Sequence, residues 1–163
     1  YEVISDTNNP KLDNAIICAG GGGLTAGSCI SIKHINPECD VFTAEPEAWN
    51  DHQLSFEKNE RVAVDTNRGG LCDGLLTPTP GEIPFAINTH FGVMGLTASD
   101  QAVCEAMRFA FNRLNLKLEP SGAVALACLL ENKEKFSGTR TLVMLSGGNV
   151  DQKTFTDCLA RAS

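Results

Sequence analysis

The sequence predicts an α/β fold, a three-layer α/β/α arrangement around a mostly parallel sheet, on three observations. Short apolar, partly β-branched runs alternate with helical patterns along the chain. The runs are continuously apolar rather than alternating, which suits strands covered on both faces. At Ala15–Gly23 and again at Thr141–Asn149, a strand-like run passes through glycines straight into a helical pattern. Right-handed crossovers then bring every strand-to-helix loop to the same sheet edge.

Taken in order, Tyr1-Glu2-Val3-Ile4 reads as the end of a helix already under way, so the chain is expected to belong to something longer. Strand signals follow at Ala15–Ala19, Asp40–Ala44, more weakly Arg61–Asp65, and Thr141–Leu145. Helices are predicted over Leu24–Ile35, Ala48–Glu57, Ser99–Leu114, Ser121–Phe136 and Gln152–Arg161. Ser99 starts the third of these and Asp100 adds a favourable charge to its first turn, while Ser121, after Pro120, is the expected N-cap of the fourth. The stretch Gly69–Gly95 carries Gly69-Gly70, Pro78, Pro80-Gly81, Pro84, Gly92 and Gly95, so it is expected to be irregular or broken into short turns. A long irregular segment inside a compact domain is more often functional than idle.

Residues 1–163 fit one domain, able to bury roughly 70% of its unfolded surface. The composition, 42% apolar and 20% charged, is that of a soluble globular domain, with no apolar run long enough to span a bilayer. The net charge of −7 comes without an acidic block, and the basic residues are scattered, which leaves no footprint for nucleic acid. Seven cysteines (18, 29, 39, 72, 104, 128, 158) lack Cys-x-x-Cys spacing and fall mostly in apolar segments, the pattern of reduced, buried thiols in a cytoplasmic protein. His34, His52 and His90 are isolated and read as surface or hydrogen-bonded histidines rather than zinc ligands. No Ser/His/Asp constellation emerges.

Chemistry concentrates at the glycine turns. Gly20, Gly21, Gly22 and Gly23 between a strand and a helix expose main-chain N–H groups at the positive end of a helix, an arrangement that binds phosphate without a basic side chain. Four consecutive glycines are costly to order, and a turn needs only one. Gly21-Gly22-Gly23-Leu24-Thr25-Ala26 also fits the dinucleotide pattern G-x-G-x-x-A, with Glu45 near the place of a ribose-binding acid, so a Rossmann reading stays open at this point. The second junction, Ser146-Gly147-Gly148-Asn149, suits instead a compact cofactor with phosphate at one end and a polar ring atom at the other. The plainer alternative for Ser146 is a helix N-cap. Glu119-Pro120-Ser121-Gly122-Ala123 opens a small-residue helix able to pack tightly on a sheet.

Together, Gly20–Leu24 with Ala26-Gly27, then Ala44-Glu45-Pro46, Cys72-Asp73-Gly74, Glu119–Ala123 and Leu145–Asp151 resemble the second half of the threonine/serine dehydratases. With serine racemase, these belong to the fold-type II pyridoxal-phosphate enzymes. The order of these motifs across nearly the whole chain makes the resemblance specific. It implies the C-terminal part of the large, cofactor-binding domain, with pyridoxal phosphate as cofactor. Gly20, Gly21, Gly22, Gly23 and Leu24 would cradle its phosphate, Ser146 would face the pyridine nitrogen, and Gly74 and Glu119 would lie toward the substrate. It also implies a Mg²⁺ or Ca²⁺ site built from Glu45, the carbonyl of Trp49, and Asp51, for which hard oxygen ligands are apt. Two solvated acids at a helix start would look the same in sequence.

One departure is large. The family carries its Schiff-base lysine in a Ser-x-Lys motif in the first half of the polypeptide, and this chain has no counterpart. Ser31-Ile32-Lys33 only mimics it, on the helix after the glycine turn. The expectation is therefore a dehydratase acting on L-threonine or L-serine, a small amino-acid substrate, represented by a fragment with no catalytic lysine and no activity alone. Its partner would be the missing N-terminal half, and the full-length form a homodimer. A serine racemase-like enzyme, a Rossmann dehydrogenase, and a non-catalytic piece that assembles with a lysine-bearing partner are the alternatives.

Overall fold

The computed structural model describes residues 11–161, and the helix end expected at Tyr1–Ile4 lies outside them. Strands β1 (Asn14–Cys18), β2 (Asp40–Pro46), β3 (Met94–Ala98) and β4 (Thr141–Val143) form one parallel sheet in the order β3-β2-β1-β4. Around it run helices α1 (Gly23–Ile35), α2 (Asp51–Lys58), α3 (Glu82–His90), α4 (Asp100–Phe109), α5 (Pro120–Glu131) and α6 (Gln152–Arg161).

The period of two along β1 makes the layers. Ala15 and Ile17 face Cys29 and Ile32 of α1, whereas Ile16 and Cys18 join the larger core with Val103, Met107, Val124, Phe155 and Cys158 of α4, α5 and α6. Both faces are covered, as the continuous apolarity predicts. Helix α5 lies directly on the sheet because Gly122, Ala123, Ala125 and Ala127 put almost no side-chain bulk between the two, and all four are buried.

Three expectations give way. Arg61–Asp65 forms no strand: its residues are half or fully exposed, and Val64 N–H donates instead to the Pro78 carbonyl at 2.8 Å. One edge strand is β3, which begins within the last two residues of the stretch expected to be irregular and for which no strand was predicted. Gly95 weakens its strand signal, yet a Cβ there would stand 2.6 Å from Gln53 Cα, so the glycine permits β3 and α2 to touch. Helix α3 lies in the same stretch, with Pro84 in its first turn, where the missing N–H has no helical acceptor to lose. Finally, the helix expected to reach Phe136 stops at Glu131. Asn132 donates from its side chain to the Cys128 carbonyl at 2.9 Å, and Phe136 returns to the core from a turn, edge-on to Phe42.

The connections diverge where the site must lie. From β1 the chain leaves into α1 on one face; from its neighbour β4 it leaves into α6 on the other. Neighbouring strands whose exits go to opposite faces leave a crevice beyond their carboxyl ends.

Candidate functional site

That crevice is a cavity of about 280 Å³. Gly20, Gly21, Gly22, Gly23 and Leu24 line one side, Gly74 and Glu119 another, and Ser146 a third. The geometry of the first side follows from its carbonyls. Those of Gly20, Gly21 and Gly22 accept from His52 Nε2 (2.8 Å), Gly81 N–H (3.0 Å) and Ala26 N–H (2.9 Å). The negative ends of these peptides are thus engaged by the protein. Gly22 takes φ 86°, open to glycine and strained for other residues, and as N-cap of α1 it offers no side chain to the first-turn N–H groups. At Gly21 and Gly23 a Cβ would meet nothing within 4 Å, so packing does not require glycine there; an open cradle does. The residues fit a phosphate group.

The other walls are locked together by contacts far apart in sequence. Ser121 is not the cap of its own helix. That position belongs to Glu119, and the Ser121 hydroxyl instead accepts the Gly74 N–H at 2.9 Å, joining α5 to the 3₁₀ turn Asp73–Leu75. Glu119 N–H donates to the Gly147 carbonyl at 3.1 Å, and Gly122 sits so close to Gly147 that a Cβ would lie 2.7 Å from its nitrogen. Ser146 does not cap α6 either: the helix begins at Gln152, and Asp151 accepts the Thr154 N–H there at 2.9 Å. The Ser146 hydroxyl lies 3.1 Å from Cys18 Sγ, whose thiol is pushed up by burial. Cys18 and Ser121 line the cavity, whereas from sequence Cys18 reads as a buried thiol and Ser121 as a helix cap. The last residue of a strand before a glycine turn was the available signal for Cys18; for Ser121, 47 positions from Gly74, there was none.

The three expected cation ligands span the end of β2 and the start of α2. Glu45 is fully buried, and its two oxygens accept the main-chain N–H groups of His52 (2.8 Å) and Gln53 (2.9 Å) at the start of α2. Trp49 lies in the 3₁₀ turn Glu47–Trp49, its indole N–H directed to the Gly69 carbonyl. Asp51 is buried with Oδ2 unpartnered. Among the described residues no group of three or more His, Cys, Asp or Glu side chains could hold a metal ion. The expected Mg²⁺ or Ca²⁺ thus finds no support from a side-chain cluster, and Glu45 caps α2 from β2.

No lysine lines the cavity. Lys33, on exposed α1 surface, donates to the Pro37 carbonyl at 3.0 Å; Lys135 lies over the Phe42 ring; Lys153 pairs with Asp157. All seven cysteines are buried and free, and no described helix is long and apolar enough to cross a membrane.

Residues 1–147 match the family described as "Pyridoxal-phosphate dependent enzyme". The chain belongs to that family. Among pyridoxal-phosphate dependent enzymes it has relatives that carry named activities. It is 36% identical over 150 residues to serine racemase of Schizosaccharomyces pombe, covering 92% of this chain and 46% of that protein. It is likewise 36% identical over 150 residues to L-threo-3-hydroxyaspartate ammonia-lyase of Saccharomyces cerevisiae, with the same coverage of 92% and 46%. The solved serine racemase from Dictyostelium discoideum superposes with a TM-score of 0.81 at 34% identity, over 92% of this chain and 47% of that one. The processed form of threonine deaminase isoform 2 from Solanum lycopersicum gives 0.86 at 26%, over 95% and 46%. The fold is therefore part of a fold-type II pyridoxal-phosphate enzyme, and the chain spans about half the length of the curated relatives it matches.

Proposed function

We propose that residues 1–163 are the C-terminal part of the cofactor-binding domain of a pyridoxal-phosphate-dependent ammonia-lyase. Its substrate is L-threonine or L-serine, converted to a 2-oxo acid and ammonia by loss of the β-hydroxyl. The observation that carries this reading is the meeting of Gly20–Leu24, Gly74, Glu119 and Ser146 around one cavity at the crevice between β1 and β4.

When bound, pyridoxal phosphate supplies the electron sink that makes an amino acid's α-proton removable. The chain's own residues hold and tune it. Main-chain N–H groups of Gly20–Leu24, backed by the α1 dipole, take the phosphate. The Ser146 hydroxyl would face the ring nitrogen, and as a neutral partner it would favour the unprotonated ring, which suits expulsion of a hydroxyl. Cys18 orients Ser146 from below. Gly74 and Glu119 form the wall toward the substrate.

The lysine that anchors the cofactor comes from the rest of the polypeptide in this reading. The natural protein is a cytoplasmic homodimer, in keeping with seven buried thiols, and residues 1–163 alone are inactive. Assays of the full-length polypeptide should release 2-oxo acid and ammonia from L-threonine or L-serine. Turnover by residues 1–163 alone would overturn the proposed division of labour. Racemisation is the second reading, favoured by the likeness to serine racemase. D-serine accumulating in place of pyruvate would select it.

A further inference from the structure

His52 is a fully buried histidine to which the sequence assigns no task. Its main-chain N–H is held by Glu45, and its ring nitrogen Nε2 lies 2.8 Å from the Gly20 carbonyl. A carbonyl only accepts, so Nε2 carries the proton and donates. The same ring fills the space behind Gly22, where a Cβ would overlap Cε1. The carbonyls of Gly21 and Gly22 are held by main-chain donors, whereas Gly20 is held by this side chain. The other ring nitrogen, Nδ1, is buried without a partner, which is unfavourable. An apolar side chain of similar size would fill the space without that penalty and would lack only the donor to Gly20.

We propose that His52 is the positioning residue of the glycine cradle: by drawing back the Gly20 carbonyl and backing Gly22, it aims the loop's N–H groups into the cavity and sets the affinity for a ligand's phosphate. The inference rests on the phosphate reading of the cradle given above. His52 stands behind the loop and does not touch the ligand.

The test compares pyridoxal phosphate with pyridoxal, which lacks the phosphate, binding to the full-length protein. Wild type should prefer pyridoxal phosphate. His52→Met should lose about tenfold in affinity for pyridoxal phosphate, the effect of one lost hydrogen bond, and keep its affinity for pyridoxal. His52→Gln, whose amide nitrogen can reach the place of Nε2, should restore the preference to within about threefold. If His52→Met does not fold, His52→Asn, polar but too short to reach Gly20, takes its place. Equal losses for the two ligands, or equal losses in the glutamine and asparagine variants, would overturn the positioning role. A wild type that prefers pyridoxal phosphate beside a His52→Met protein that keeps that preference sinks this inference alone. A wild type with no preference sinks the phosphate reading and the inference with it.

Discussion

Glu45 and Asp51 are carboxyl groups with almost no water to face, and burial decides what each does. Glu45 spends both oxygens on the first N–H groups of α2, so Glu45→Ala should destabilise the protein by about 1–3 kcal/mol for each donor left unpaired, measured by denaturant unfolding. With both Glu45 oxygens engaged by main-chain donors, a chelator should leave the melting temperature unchanged; a drop reversed by Mg²⁺ would show a cation bound there. Burial pushes the Asp51 carboxyl up to about 7, and pushes Glu45 well above the ordinary carboxylate range, with the Asp51 charge adding to it. Folded-state values above the unfolded ones mean that the native protein holds these protons more tightly. Their contribution is complete below about pH 4 and is lost as pH rises through the folded values. Stability should therefore fall from about pH 5 to 8, and Asp51→Asn should flatten the profile; a rise across that window contradicts the assignment. Among the glycines, Gly22→Ala should cost about 1–2 kcal/mol for its positive φ alone, plus the overlap with His52, whereas Gly21→Ala has open space and should leave the melting temperature within about a degree.

Helix α5 is the element on which the site turns. Its first turn touches the Ser146–Gly148 loop through Gly122 and the Asp73–Leu75 turn through Ser121. Gly122→Ala should push α5 off Gly147 at a cost of about 1–3 kcal/mol and weaken cofactor binding as Ser146 moves. Ser121→Ala should cost about 1 kcal/mol by leaving the Gly74 N–H unpaired. The small residues of α5 were legible as a close-packing surface because their sizes alone say so. Its partners were not, since hydrogen bonds between residues 47 positions apart leave no periodic trace. The miss at α3 and β3 has a local cause. Pro84 and Gly95 are strong breakers in sequence, yet Pro84 occupies the helical turn that tolerates it and Gly95 a strand position pressed against α2. Arg61–Asp65 failed the other way, its Val62 and Val64 mimicking a strand while the Val64 N–H pairs with the Pro78 carbonyl outside the sheet.

At the scale of the whole molecule, parallel strand order puts Gly20 and Ser146 at one edge although 126 positions separate them in the numbering. That convergence was predictable from the chain alone, because parallel strands joined by crossovers all carry their carboxyl ends, and hence their strand-to-helix turns, at one edge. What sequence could not supply was the supporting shell: His52 behind the cradle, Cys18 beside Ser146, and Glu45 holding the first N–H groups of α2. Each depends on which way a side chain points after the sheet has formed. The central claim is that the glycine cradle and Ser146 grip opposite ends of one pyridoxal phosphate molecule. A crystal structure of the full-length protein with that cofactor tests it directly. Phosphate oxygens should lie within hydrogen-bonding distance of the Gly20–Leu24 N–H groups and the ring nitrogen against Ser146 Oγ; a phosphate bound away from the cradle, or a ring turned from Ser146, contradicts the claim.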